Sequence, residues 1–165
     1  MHEWNNYFAV VAGCASTLTG LIFVAVSLSL KVMLAVPGLA TRALQPLVLL
    51  VTVLLVATLC LVPDQSAPAV GREVLGLGFV AGLGTVWLNW HMVRATPRPY
   101  RPYAWTNVVF SQLTVWLYLV AGGWLLVFGF GGLHYVVAAV SLSLVKAGVD
   151  AWIVLVEINR VELNQ

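Results

Sequence analysis

Charge is what this sequence has least of. Lys and Arg number 8 and Asp and Glu 6 among 165 residues, so 8% of the chain is charged, against about a quarter of an ordinary soluble domain. Apolar residues make up 61%. A chain of this length cannot hide that much apolar surface in a core, so much of it must face lipid. The net charge of +2 is spread over short loops, and nucleic acid is not expected as a partner. Two cysteines, Cys14 and Cys60, fit no zinc spacing and no disulfide framework. A bridge between them is conceivable, but free buried thiols are the expectation. The three histidines, His2, His91 and His134, fall near interfaces, and none recurs at metal-ligand spacing. No nucleotide loop is present, so no cofactor and no metal is expected. A hydrolase needs a nucleophile with a base in reach, and no such pair stands out; the reading is not an enzyme.

What is present is apolar length. A spanning helix needs about 20 mostly apolar residues, and five stretches qualify: 7–30, 43–62, 74–93, 104–130 and 133–158. The breaks carry ordinary turn punctuation, "AVPGLATR", "PDQSAPAVGRE", "RATPRPYRPY" and "GFGGLH". The expected fold is therefore all-α: residues 1–165 form a single membrane domain, a polytopic bundle of five transmembrane helices. The start, "MHEWNNYF", lacks a basic segment, and the first apolar run is long enough to span, so no cleavable leader is expected. Lys31, Arg42, Arg94, Arg98, Arg101 and Arg160 fall on one side of this arrangement, and only Arg72 on the other. The positive-inside rule then places the N-terminus out and the C-terminus in. Tryptophans near the span ends suit an interfacial belt.

Within the spans, polar residues fall into stripes. At about 100° per residue, Ala139, Ser143, Lys146, Asp150 and Glu157 share one face of the fifth span. A charge at a helix centre costs on the order of 2.5–3.5 kcal/mol on insertion scales, so this face must meet protein or water. The fourth span offers a complement: Asn107, Ser111, Thr114, Tyr118 and Gly122. Folding the two about the glycine turn sets Lys146 near Tyr118, Asp150 near Gln112 and Thr114, and Glu157 near Asn107. Two readings fit: polar glue between helices, or a functional path.

Small residues mark two further faces. Gly13, Thr17, Gly20, Val24, Ser27 and Lys31 line the first span, and Gly78 with Gly82 makes a GxxxG step in the third. Helix packing is the default reading of both. Lys31 and Glu157 are expected at the same membrane face, where they can pair. The second span, "LVLLVTVLLVATLCLV", is nearly featureless and is expected to face lipid. In the third loop, Arg94, Arg98 and Arg101 alternate with Tyr100 and Tyr103 beside three prolines. That loop is read as a stiff topogenic segment, or as a surface for anionic headgroups or a partner. "AVSLSL" occurs at Ala25–Leu30 and again at Ala139–Leu144, without wider similarity between the two helices.

The opening "EWNNYFAVVAGCASTLTGLIFVAVSLSL" resembles the start of a group of small, uncharacterised bacterial multi-pass membrane proteins. The resemblance rests on Trp4, Phe8, Gly13, Leu18, Gly20, Leu21, Phe23, Val24 and Ser27 and covers mainly the first helix. Some similar chains are labelled modulators of a membrane-bound ATP-dependent protease, which implies a partner-binding role and assigns no functional residues. From the residues themselves the first expectation is an oligomeric ion or proton channel or carrier in a bacterial inner membrane. Lys146, Asp150 and Glu157 would supply its polar path, and Ser143, Ser111, Thr114 and Tyr118 would line it. The alternative is a non-conducting accessory subunit of a larger membrane complex. Lipid, a second copy and another membrane protein are the expected partners.

Overall fold

A computed structural model of the chain describes residues 2–36, 38–96 and 101–162. Among these residues the regular elements are helices: α1 (His2–Leu28), α2 (Leu30–Ala35), α3 (Leu39–Cys60), α4 (Ala67–Ala95), α5 (Arg101–Phe128) and α6 (Leu133–Glu162). A 3-10 turn, Gly129–Gly132, joins α5 to α6. Four helical stretches are long and apolar enough to cross a membrane: Trp4–Leu28, Leu39–Cys60, Ala67–Arg94 and Ala104–Arg160. The last of these doubles back at the glycine turn. Gly129 takes a φ of +69°, which an L side chain rarely adopts, and a Cβ on Gly132 would lie 2.7 Å from the Leu125 backbone nitrogen. Beyond the turn, Tyr118 meets Ser143 and Asn107 meets Lys146, so α5 and α6 run antiparallel. The whole suits an all-helical, multi-pass integral membrane protein.

Helix ends differ from the apolar runs where polar residues extend a helix past them. The third span starts at Ala67 rather than 74, with Pro68 in the first turn, where its missing N–H removes no rung. The first span stops short, because Ser29 interrupts it and Leu30–Ala35 form a separate short helix. The first "AVSLSL" is thus broken, whereas the second lies wholly inside α6.

The helices α3, α4, α5 and α6 form a closed antiparallel ring in which each touches the helix before and the helix after it. The seam between α4 and α5 is the tightest. A Cβ on Gly122 would come within 2.6 Å of Leu75 and 2.9 Å of the Gly71 carbonyl, so only glycine allows the backbones this close. Gly78 and Gly82 extend the seam, facing Tyr118 and Val115. On the other side of the ring α6 packs on α3, with Ala43 against Val154 and Ile158, and Ala147 against Leu49 and Leu50.

α1 lies outside the ring, antiparallel to α3. Phe8, Val11 and Ala15 join the core of Val53, Val56, Ala57 and Val136, and Trp4 stands edge-on to His134 with ring centroids 5.0 Å apart. Past that point α1 is largely unpacked: 11% of its most apolar window is buried, against 56% for α3. This corrects the expectation that the second span faces lipid, since α3 touches α1, α4 and α6. A helix that is apolar on every side fits the middle of a membrane bundle as well as its lipid face, and packing decides between them.

Candidate functional site: a polar chain inside the ring

Each helix of the ring contributes one polar side chain at a common level. Asn89 stands near the end of α4, Gln45 near the start of α3, Asn107 near the start of α5 and Lys146 in the middle of α6. The antiparallel order brings these positions together. Gln45 Nε2 donates to Asn89 Oδ1 at 2.6 Å, and Asn107 Nδ2 donates to Gln45 Oε1 at 3.0 Å. Lys146 Nζ donates to Asn107 Oδ1 at 2.7 Å and to both carboxylate oxygens of Asp150, one turn on. The result is a continuous chain, Asn89–Gln45–Asn107–Lys146–Asp150, linking four helices.

The chain is dry. Gln45, Asn89, Lys146 and Asp150 are all buried, and Asn107 is half-buried. An ammonium and a carboxylate survive there because each neutralises the other and the amides satisfy what remains. Within this chain of side chains, Asn89 Nδ2 is buried without a hydrogen-bond partner, a cost of about 1–3 kcal/mol.

Further along the axis the polar contacts become local. Ser143 Oγ donates its single hydrogen to the Ala139 carbonyl at 2.8 Å, so Tyr118 must donate to Ser143 Oγ, also at 2.8 Å. Thr114 donates to Phe110 O at 2.9 Å, Ser111 is buried beside it, and Gln112 turns to α4, donating to Thr85 Oγ1 at 3.3 Å. Beyond Tyr118 the buried side chains between the helices are apolar, among them Val70, Val74, Leu125, Leu133 and Val136.

Several expected pairings are therefore corrected. Asp150 lies on Lys146, as their spacing of one helical turn allows, but makes no hydrogen bond to Gln112 or Thr114, and Asn107 meets Lys146 rather than Glu157. The seating of Gly132 on Leu125 and the early end of α5 at Phe128 set the register, and the long lysine side chain reaches down to Asn107. Lys146 also falls past the level of Tyr118, whose partner is Ser143. Glu157 pairs with Arg42, Nη1 to Oε2 at 2.7 Å, with both side chains about a third exposed. Lys31 does not take that place; it lies exposed on α2.

On α1 the residues Gly13, Thr17, Gly20 and Ser27 all lie on the exposed face, and a Cβ on Gly13 or Gly20 would meet nothing within 4 Å. Among the described residues this stripe packs against no other helix, whereas Gly78 and Gly82 do pack. Cys14 and Cys60 are both free, Cys14 exposed and Cys60 buried. Of the basic loop, Arg98 and Tyr100 lie outside the described residues. Tyr103 is on the first turn of α5, Arg101 is exposed, and Arg94 sits 4.4 Å over the Trp90 ring.

A groove of about 590 Å³ opens between α5 and α6 beside the polar chain. It exists because α5 follows the glycine seam onto α4 while α6 follows α3. Arg42, Gln45, Thr106, Asn107, Lys146 and Asp150 supply its polar lining.

Gln45, Asn89, Thr85 and Arg42 are the members of this site that the stripe analysis does not single out. They fall in two pairs, Arg42 with Gln45 on α3 and Thr85 with Asn89 on α4, each too short to stand out as a stripe along its span. Depth could have: an amide near the same membrane face in each of three neighbouring spans is a matched set.

Compared with family models, with curated proteins and with solved structures, the chain matches none.

Proposed function

We propose that this chain is a non-conducting accessory protein of the membrane: five helices cross the bilayer, and α1 docks another membrane helix. The observation that carries the reading is the outward face of α1. Of the nine residues behind the resemblance to small multi-pass membrane proteins, seven are exposed: Gly13, Leu18, Gly20, Leu21, Phe23, Val24 and Ser27. None of those seven is needed to hold the ring together. Small residues at this face would let a partner backbone approach closely, which is how helices associate where lipid removes the hydrophobic drive.

The polar chain supports the non-conducting part. Its charges are satisfied by one another within one copy, and the core beyond Tyr118 and Ser143 is apolar, so the buried polar residues serve as glue for the ring. The permeation reading would require an oligomer that opens this chain. Gly20→Leu separates the two. A Cβ at this site has open space, so the variant should keep the thermal stability of the purified chain. It should also remove the higher-mass complex that the wild type forms in native membranes, read by blue native electrophoresis. Ion or proton flux from proteoliposomes of the purified wild type, at either sign of potential, would overturn the proposal.

A further inference from the structure

Two exposed arginines at the basic end of the bundle have no anion among the described residues. Arg42 is paired with Glu157 and Lys146 with Asp150, so neither of those cations calls for a charged ligand. Arg94, at the end of α4, and Arg101, at the start of α5, make no ion pair among the described residues. The segment from Arg94 to Arg101 carries three arginines and no carboxylate, so its own sequence offers no counter-charge.

Arg94 is held in place. Its guanidinium carbon lies 4.4 Å over the ring of Trp90, one turn back. A guanidinium stacked in this way uses its π face on the indole and leaves its N–H edge free to donate. Trp87 meets His91 beside it, with ring centroids 4.5 Å apart. Trp87, Trp90, His91 and Arg94 are all exposed, whereas Leu88, Asn89 and Met92 on the same turns are buried. The outward face continues down α4 through the exposed side chains of Val86, Leu83 and Phe79, at steps of three and four residues. Indoles favour the level of the lipid headgroups. The face therefore suits a ligand that is anionic at one end and apolar along the rest.

We propose that this face of α4 binds an anionic lipid, its headgroup on the Arg94 guanidinium over Trp90 and an acyl chain along Leu83 and Phe79. What it selects is net negative charge, as basic segments at a membrane surface do. The site lies on α4, so it does not depend on docking by α1.

Native mass spectrometry of the purified full-length chain tests the proposal with three dioleoyl lipids: phosphatidylglycerol, phosphatidylcholine and the phosphate-free succinate ester of diacylglycerol. The first and last are anionic, while phosphatidylcholine carries a phosphate but no net charge. Both anionic lipids should bind about fivefold tighter than phosphatidylcholine, the scale of one arginine at an anionic surface. Arg94→Gln should abolish that preference. Trp90→Leu keeps the cation but removes the ring beneath it, and should lower the preference about twofold. Arg72→Gln makes the same change of charge at the opposite end of α4 and should leave the preference intact. Equal binding of all three lipids by the wild type would overturn the site. Equal losses in Arg94→Gln and Arg72→Gln would do so too, since the preference would then follow the net charge of the chain. Tighter binding of both phospholipids than of the succinate would mean that phosphate is read in place of charge. Arg72, Trp90 and Arg94 are exposed, and circular dichroism on each variant distinguishes lost binding from lost structure.

Discussion

Lys146 donates to Asn107 at 2.7 Å across 39 residues of sequence, and that bond joins α6 to a chain that otherwise runs from α4 through α3 to α5. The ammonium has three donors, and three acceptors meet it: Asn107 Oδ1 and the two oxygens of Asp150. Its capacity is fully used. Any role that requires Lys146 to bind something else must first break one of these contacts.

This makes the pair a coupled unit, and its loss should be non-additive. Lys146→Met alone leaves a buried carboxylate, and Asp150→Leu alone leaves a buried ammonium; each should cost about 3–5 kcal/mol. The double variant leaves only Asn107 Oδ1 without its donor and should cost about 1–3 kcal/mol. Reversible unfolding in mixed micelles measures all three. Additive losses would mean that the two charges are solvated separately.

Tyr118 and Ser143 should show an asymmetry that follows from which atom donates. Tyr118→Phe removes the donor, while Ser143 still bonds to Ala139 O, so the loss should be about 0.5–1.5 kcal/mol. Ser143→Ala strands a fully buried phenol hydroxyl and should cost more, about 1–3 kcal/mol. Unfolding of the two variants under one condition decides it. The reverse order would reassign the donor.

The helices, their antiparallel order and the dry position of Lys146 and Asp150 follow from the sequence, because each rests on local apolar length and on spacing along one helix. What does not follow is which helix stands in the middle. Lipid and protein interior are equally apolar, so "LVLLVTVLLVATLCLV" reads the same facing either. The partners of Lys146 escaped for a related reason. Asn107 lies on the expected stripe, but Gln45 and Asn89 are single amides on other helices, and only a three-dimensional register brings them to one level. The α1 stripe shows the opposite case: small residues at helical spacing mark a packing face, and here no neighbour within the chain fills it.

The glycines provide a control for that distinction. Gly122→Ala would press a methyl into Leu75 and the Gly71 carbonyl, and overpacking of this kind costs about 1–3 kcal/mol. Gly84→Ala and Gly20→Ala meet open space, and should leave stability unchanged or raise it slightly, since alanine is the better helix former. Melting temperatures in one detergent suffice. Equal losses at all three sites would mean that helix flexibility, not the α4–α5 seam, sets the requirement for glycine.

The proposed five crossings predict a sidedness. Ser66 starts α4 at the end of the ring opposite to Arg42, Arg94, Arg101 and Arg160, and the α5–α6 turn shares its end. In the proposed orientation, which follows the positive-inside rule, the basic end lies in the cytoplasm. In a Cys14→Ser background, where the remaining Cys60 is buried, Ser66→Cys and Gly131→Cys should react with an impermeant maleimide on intact cells. Arg101→Cys and Asn159→Cys should react only after permeabilisation. All four residues are exposed, so failure to label reflects the membrane and not the fold. Labelling at Ser66 but not at Gly131 would mean that the α5–α6 hairpin enters the bilayer without crossing it. In that case the polar chain would sit at a different depth, and the requirement that its charges be neutralised would rest on the ring alone.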